Sequence, residues 1–371
     1  MNIPMTKPCF SEISRSNIVR DIDKILESGR LMMGQWTDKF EENFSNLTNT
    51  NHALTVNSCT TALQIALQFY NVKDFEVMVP SGSFITNIST IKWAGGKPVF
   101  IDMNPKTLSF DLDDMQKKLT KHTKGIMWVH LTGMISPEYR EIVDFAKDNN
   151  LFLIEDCAHA HGAKVDGVMA GSIGDVGCFS FFPSKIMTTG TGGMLTTNND
   201  NLAEYTKKIR LLGRCTNGSG EICLEGNDWF MDEIRACIGY YQLQEINSNL
   251  ERRRMIAKKY NNLFFNHPKI RIFNQGDNNE PAYYQYVIII DPSINRDSLI
   301  KKLKSKYGIS SKRIYLATHQ EPIFQDLEFD VATLQQTEET LDSSLCLPIF
   351  CTMTDTEVNN VAKSLLSEIS M

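Results

Sequence analysis

Cys178-Phe179-Ser180-Phe181-Phe182-Pro183-Ser184-Lys185, with Thr189-Gly190-Thr191-Gly192-Gly193-Met194 close behind, is the stretch whose reading decides the fold. It reads as two short strands, 177–180 and 194–197, joined by a loop that carries a lysine. Upstream, the apolar run Leu151-Phe152-Leu153-Ile154 ends in Glu155-Asp156, and Asp156 stands 29 residues before Lys185. Between them Gly162, Gly167, Gly171, Gly174 and Gly177 crowd a segment too rich in glycine for a helix. An acid at a strand's end and a lysine in the next loop both fall where open α/β sheets place their ligands.

Working outward, helical and extended patterns alternate. Residues 12–28 carry Ile13, Ile18, Ile22, Ile25 and Leu26 at helical spacing and stop at Gly29. A second helix is expected over 38–47 and a strand over 53–56. Asn57-Ser58-Cys59-Thr60-Thr61 then leads into a helix with Leu63, Ala66, Leu67 and Tyr70 on one face. Further strands are expected at 77–79, 99–101, 126–129 and 151–154, with helices at 111–119 and 138–149. Such alternation predicts βαβ units and a mostly parallel sheet sandwiched by helices. Helices follow at 202–212 and, as one long element, at 232–254. The chain is expected to divide near Arg252-Arg253-Arg254, inside a continuous helix, into a large α/β domain, 1–250, and a small α+β domain, 251–371. The latter takes a strand at 284–290, a helix at 296–307, an irregular stretch at 323–350 and a closing helix at 355–369; Asp277-Asn278-Asn279-Glu280 reads as a surface turn.

With 371 residues, 42% hydrophobic and 22% charged, the chain has the composition of a soluble globular protein. A net charge of −6 gives no electrostatic case for nucleic acid or an anionic membrane. Nine scattered cysteines without a CxxC pair argue for a reducing compartment and against a disulfide framework or a zinc knuckle. Residues 1–11 lack the pattern of a signal peptide, and no apolar run reaches membrane-spanning length, so a cytoplasmic protein is expected.

The chemistry follows from residue types. Lys185 has aromatic, serine, threonine and glycine neighbours rather than charges. Desolvated in such a loop, its amine loses basicity and becomes a nucleophile and base. Asp156, buried at a strand's end, requires a partner, and the protonated pyridine nitrogen of pyridoxal phosphate (PLP) is such a partner. Thr60 and Thr61, between a strand and a helix, offer hydroxyls beside a positive helix end, which suits a phosphate; capping is the ordinary alternative. Ser180 offers a second hydroxyl for that phosphate, a buried strand serine being the ordinary alternative. Phe84, in Pro80-Ser81-Gly82-Ser83-Phe84 after the strand at 77–79, can stack on a flat ring. His159 and His161, in Cys157-Ala158-His159-Ala160-His161-Gly162, lack a clear third ligand, so no metal is expected. No G-x-G-x-x-G follows the first strand, which speaks against a nicotinamide cofactor.

In the order they occur, these motifs resemble the DegT/DnrJ/EryC1/StrS family of PLP-dependent sugar aminotransferases, of fold type I. The resemblance rests on GQWTDKFEENF (34–44), NSCTTAL (57–63), VPSGSFITN (79–87), GKPVFID (96–102), VHLTG (129–133), IEDCAHAHGA (154–163), FSFFPSKIMTTGTGGM (179–194) and YLATHQEP (315–322). It implies Lys185 as the Schiff-base lysine, Asp156 on the pyridine nitrogen, Phe84 on the ring, and Thr60, Thr61 and Ser180 around the phosphate. It places His159 close to the ring and His319 towards the substrate. It further implies transfer of an amino group from an amino acid, L-glutamate, to a keto sugar, nucleotide-linked, in ping-pong fashion through the pyridoxamine form. A homodimer that completes each active site across its interface is part of the same expectation, as is a place in amino-sugar and polysaccharide biosynthesis. Alternatives are a deoxysugar dehydratase, whose known members carry histidine in place of Lys185, an amino-cyclitol aminotransferase, and a non-enzymatic regulator of this fold.

The chain departs from the family's pattern at several positions. Cys59 replaces a glycine of the phosphate turn, Thr191 a frequent glutamate, and Ile314 a common histidine. In EGNDWFMDEIRA (225–236) the phosphate-binding asparagine falls on Asp228 and an arginine on Phe230. An aspartate repels a phosphate, so neighbouring Asn227 is expected to take that contact, and Trp229 and Phe230 make the substrate pocket unusually apolar.

Overall fold

The computed structural model describes residues 2–273, 276, 278–324 and 334–370. Strands β1 (His52–Val56), β2 (Glu76–Pro80), β3 (Lys97–Ile101), β4 (Thr123–Val129), β5 (Phe152–Asp156), β6 (Val176–Ser180) and β7 (Gly193–Thr197) form one sheet in the order β1-β7-β6-β5-β4-β2-β3. From β6 to β3 every pairing is parallel, and β7 runs antiparallel to both its neighbours. β5 and β6 are buried along their whole length, as a sheet covered on both faces requires.

Helices α1 (Glu12–Ser28), α2 (Gln35–Thr48), α3 (Cys59–Phe69), α4 (Ile85–Trp93), α5 (Leu112–Lys118), α6 (Tyr139–Asp148), α7 (Asp200–Ile209) and α8 (Glu233–Gln244) cover the sheet. Two cores result, one per face. Phe40, Phe44, Trp128, Ile142, Phe181 and Leu243 belong to the first, and Leu63, Ile65, Ile88, Ile91, Ile154 and Leu202 to the second. α1 stops at Gly29, whose φ of +67° closes the helix in the left-handed region that glycine enters without strain. α2 is capped from a distance. The Glu233 carboxylate accepts from the N–H groups of Gly34, Trp36 and Thr37, each at 2.9 Å, and from the Thr37 hydroxyl at 2.5 Å.

The helix expected over 232–254 is two helices. α8 ends at Gln244 and α9 (Ile246–Phe264) begins two residues on, with Glu245 (φ −99°, ψ 0°) as the C-cap of the first and the N-cap of the second. α9 spans the two halves of the molecule. Ile246 and Leu250 sit in the core of the large sheet, whereas Ile256, Ala257, Tyr260 and Phe264 sit in a third core. That core is closed by an antiparallel sheet of β8 (Ile270–Ile272), β9 (Tyr286–Ile290) and β10 (Ser344–Leu347). α10 (Arg296–Tyr307), α11 (Gln335–Asp342) and α12 (Asp355–Ile369) accompany it. The chain's start joins it too: Ile3 is fully buried there and pairs with Ile309.

Other expectations need correction. The stretch 323–350, expected to be irregular, contains α11 and β10, and its residues 325–333 lie outside the described residues. α11 lacks a strong apolar stripe but is anchored by Asp102, which accepts from the N–H groups of Gln336 and Thr337. Of the turn at 277–280, Asp277 lies outside the described residues, while Asn279 and Glu280 pair with Val165 and Lys164. α4 was not anticipated from the sequence. One disulfide forms, Cys215–Cys223, where Arg214 pairs with Ile222 across a short hairpin; a spacing of eight carries no signal of its own. No helix among the described residues is long and apolar enough to cross a membrane.

Candidate active site

Thr60, Phe84, Asp156, His159, Ser180 and Lys185 line one cavity of about 310 Å³ at the carboxyl ends of β1, β2, β5 and β6. At its floor, Ser58 caps α3 by accepting the Thr61 N–H at 3.1 Å. The N–H groups of Cys59 and Thr60, in the first turn, have no intrahelical acceptor and stand at the positive end of the helix. Gly193 passes directly beneath. A Cβ there would lie 2.3 Å from the Ser58 carbonyl carbon and 2.6 Å from the Cys59 nitrogen, so only glycine lets β7 approach the turn.

Asp156, buried at the end of β5, accepts the Ala158 N–H at 2.9 Å on one carboxylate oxygen. The Cys59 sulfur is 3.9 Å from the same oxygen and 3.5 Å from the Cys178 carbonyl. Burial, reinforced by the Asp156 charge, pushes the Cys59 pKa well above the ordinary thiol value, so the thiol remains a donor. The residue that replaces the family's glycine therefore faces the aspartate.

Lys185 reaches the cavity with its ammonium 4.6 Å from the centre of the Tyr284 ring. Its loop is held by its own N–H donating to the Phe182 carbonyl and by a 2.9 Å hydrogen bond between Ser184 and the Tyr284 hydroxyl. Burial lowers its pKa to about 8, against the opposing pull of Asp156. The lysine thus keeps a carboxylate within electrostatic reach and still loses basicity, as a nucleophilic amine must.

His159 is also buried. Burial first, then the charges of Lys185 and Lys312, hold its pKa well below the ordinary value, so it is neutral. Its Nδ1 accepts the Thr132 N–H at 3.3 Å, which places the ring proton on Nε2, 3.1 Å from the Tyr315 hydroxyl. The ring stacks on Tyr284 at 4.1 Å. His161 is elsewhere, packed against Phe179 and Phe181, with its pKa lowered to about 3 by burial. His130, Glu155 and Cys157 gather as potential metal ligands. Glu155, however, already accepts from His130 and from the N–H groups of Gly171, Ile173 and Gly174.

Four candidates are placed outside this cavity. Thr61 spends its hydroxyl on Asn57 at 2.6 Å and, with Thr60 and Trp229, lines a neighbouring depression. Asn227 is exposed and accepts the Asp228 N–H. His319 is buried between Ser81, at 2.5 Å, and Glu338, at 2.7 Å, behind the loop that carries Phe84. Sequence reasoning did not anticipate Tyr284 or Lys312 in the lining. Tyr284 is the first residue of the strand expected at 284–290, and Lys312 falls in none of the motifs.

A parallel sheet with a weakly basic lysine, an acid at a strand's end and an open helix N-terminus in one cavity defines a fold-type-I enzyme of the aminotransferase class. The chain belongs to the DegT/DnrJ/EryC1/StrS aminotransferase family, whose sequence profile matches residues 12–366. It is 32% identical over 342 residues to GDP-perosamine synthase of Caulobacter vibrioides, covering 90% of each chain. It is 30% identical to dTDP-3-amino-3,4,6-trideoxy-alpha-D-glucose transaminase of Micromonospora megalomicea subsp. nigra, covering 91% of each. A solved sugar aminotransferase of Streptococcus pneumoniae (its assignment a proposal), in the PLP form, superposes with a TM-score of 0.90 at 25% identity over the whole of both chains.

Proposed function

We propose that this chain is a PLP-dependent aminotransferase that moves an amino group from L-glutamate to a keto sugar carried on a nucleoside diphosphate. The observation that carries the reading is Lys185, an amine with its pKa lowered to about 8 that shares a cavity with Asp156 and the open end of α3. The residues present fit PLP. The Cys59 and Thr60 N–H groups and the Thr60 and Ser180 hydroxyls suit its phosphate, the Phe84 ring its flat face, the Asp156 carboxylate its ring nitrogen and Lys185 its aldehyde. When bound, the cofactor supplies an electron sink for the carbon that loses its proton.

Each side chain then has a task. Asp156 keeps the ring nitrogen protonated, and its buried position keeps water from replacing it. Neutral His159 stays in place through Thr132 and Tyr315 and adds no second positive charge beside Lys185. With the cofactor and donor bound, the Lys185 amine would take the proton from the donor's Cα and, in the second half-reaction, give one to the sugar carbon, so it would serve as both base and acid. A pKa near 8 suits that exchange. Because donor and acceptor use one cavity in turn, the kinetics are ping-pong.

The same reading includes three further points. The chain divides into 1–250 and 251–371 within α9, supported by the two cores that α9 joins. It acts as a homodimer, supported by exposed Phe84 and Phe182 at the cavity's rim and exposed Ile13, Val19 and Leu26 on α1. Asn227 contacts the phosphate of the partner subunit, and Trp229 lies near the substrate there. L-Glutamate should shift the visible absorption of the PLP-loaded protein to that of the pyridoxamine form, and Lys185→Ala should abolish turnover with the fold intact. Turnover at the parent rate in Lys185→Ala rules the assignment out.

A further inference from the structure

The cavity holds one more cation than that chemistry employs. Lys312 comes from the C-terminal half, where its backbone is anchored while the residue itself is exposed. Its N–H donates to the Cys346 carbonyl at 3.4 Å and its carbonyl accepts the Cys346 N–H at 2.7 Å, an antiparallel bridge to the edge of β10. Two residues on, the Ile314 N–H donates to the Ser344 hydroxyl at 3.2 Å. From this anchored segment the Lys312 side chain joins the cavity lining that also holds Asp156 and Lys185, its ammonium 5.9 Å from the Tyr315 ring centre. Among the described residues no carboxylate forms an ion pair with it. Its charge is nevertheless felt inside, since it helps to lower the pKa of both Lys185 and His159.

Tyr315 supplies a second donor at the same place. Because the His159 proton is on Nε2, that nitrogen donates to the Tyr315 oxygen, and the phenol's own hydrogen remains available to a ligand in the cavity. An ammonium and a hydroxyl three residues apart on one rigid segment suit an oxyanion, with the lysine providing charge and the phenol direction. Both substrates of the proposed reaction carry such a group: the donor a carboxylate, the nucleotide sugar a phosphate.

We propose that Lys312 and Tyr315 form the oxyanion-binding site that receives the substrates of the two half-reactions in turn. This rests on the function proposed above and adds the residues that read the substrate's charge. The experiment uses the PLP-loaded protein with Lys312→Met, Lys312→Arg and Tyr315→Phe. The cofactor's absorption band should be unchanged in all three. The L-glutamate concentration that converts half of the band should rise roughly tenfold or more in Lys312→Met, return towards the parent value in Lys312→Arg, and rise severalfold in Tyr315→Phe. Calorimetric titration with GDP and with dTDP, which needs no cofactor, reads the phosphate source. Weakened nucleotide binding in Lys312→Met alongside the raised glutamate requirement supports the proposal, whereas a change in only one of the two overturns its use by both substrates and leaves the site to that one group. Parent-like values in both measurements overturn the proposal. A parent protein that binds no PLP overturns the proposed function instead, while the nucleotide titration still decides whether Lys312 holds an oxyanion.

Discussion

Lys185 is an ammonium held where water is scarce, and that determines how its reactivity depends on pH. Its pKa falls from 10.5 to about 8, chiefly through burial. Between those values the unfolded chain binds a proton that the folded chain does not, so this lysine makes the cofactor-free protein more stable as pH rises from about 8 to 10.5. The rate at which the cofactor-free protein captures PLP should rise with pH to a midpoint near 8. Asp156 opposes the shift, so Asp156→Asn should move that midpoint lower, as measured by stopped-flow absorption. A midpoint that stays near that of a free lysine would show the amine to be solvated. Gly193 is the other residue on which the site depends. In Gly193→Ala the new methyl meets the turn between Ser58 and Cys59, so PLP affinity should fall at least tenfold, as read by equilibrium titration. Lys185, Asp156 and Phe84 were legible because their motifs report chemistry directly. Lys312 and Tyr284 were not, because their side chains reach the cavity from segments far away in sequence.

At the level of elements, the large sheet was legible and the pieces fixed by distant partners were not. The strands at 77–79 and 151–154 announced themselves as apolar runs, and they proved to be the centre of β2 and the first part of β5. α12 carries its own capping box, Thr354 with Glu357, and both of its ends were read correctly. α2 lacks such a local signal: its cap is Glu233, 196 residues beyond Thr37. α11 likewise depends on Asp102. The same logic identifies a weak point in the scaffold beneath the site. Buried Arg210 is paired with Glu41 at 2.6 Å and donates to the Thr55 carbonyl in β1 at 2.7 Å, tying α2, β1 and the end of α7 together. Removing one partner strands a buried charge, so Glu41→Ala should lower unfolding stability by about 3 kcal/mol, measured by denaturant titration. A loss below about 1 kcal/mol would show that water replaces the carboxylate.

The whole molecule places a cavity between two cores. The large sheet contributes Asp156, Lys185 and the end of α3, and the C-terminal half contributes Tyr284, Lys312 and Tyr315. On the proposed reading, cofactor chemistry falls to one half and substrate charge to the other, with α9 running from one core into the other. The departure at Asp228 and Phe230 has no counterpart in the cavity of a single chain, which is why the phosphate contact of Asn227 is assigned across the proposed dimer. The central claim is that Lys185 is the amine that holds the cofactor. Borohydride converts a lysine bonded to an aldehyde into a stable secondary amine, so the PLP-loaded protein should be reduced, digested and mapped by mass spectrometry. The account predicts a single pyridoxyl adduct, on Lys185. An adduct on Lys312, the other lysine of the cavity, or no adduct at all, would contradict it.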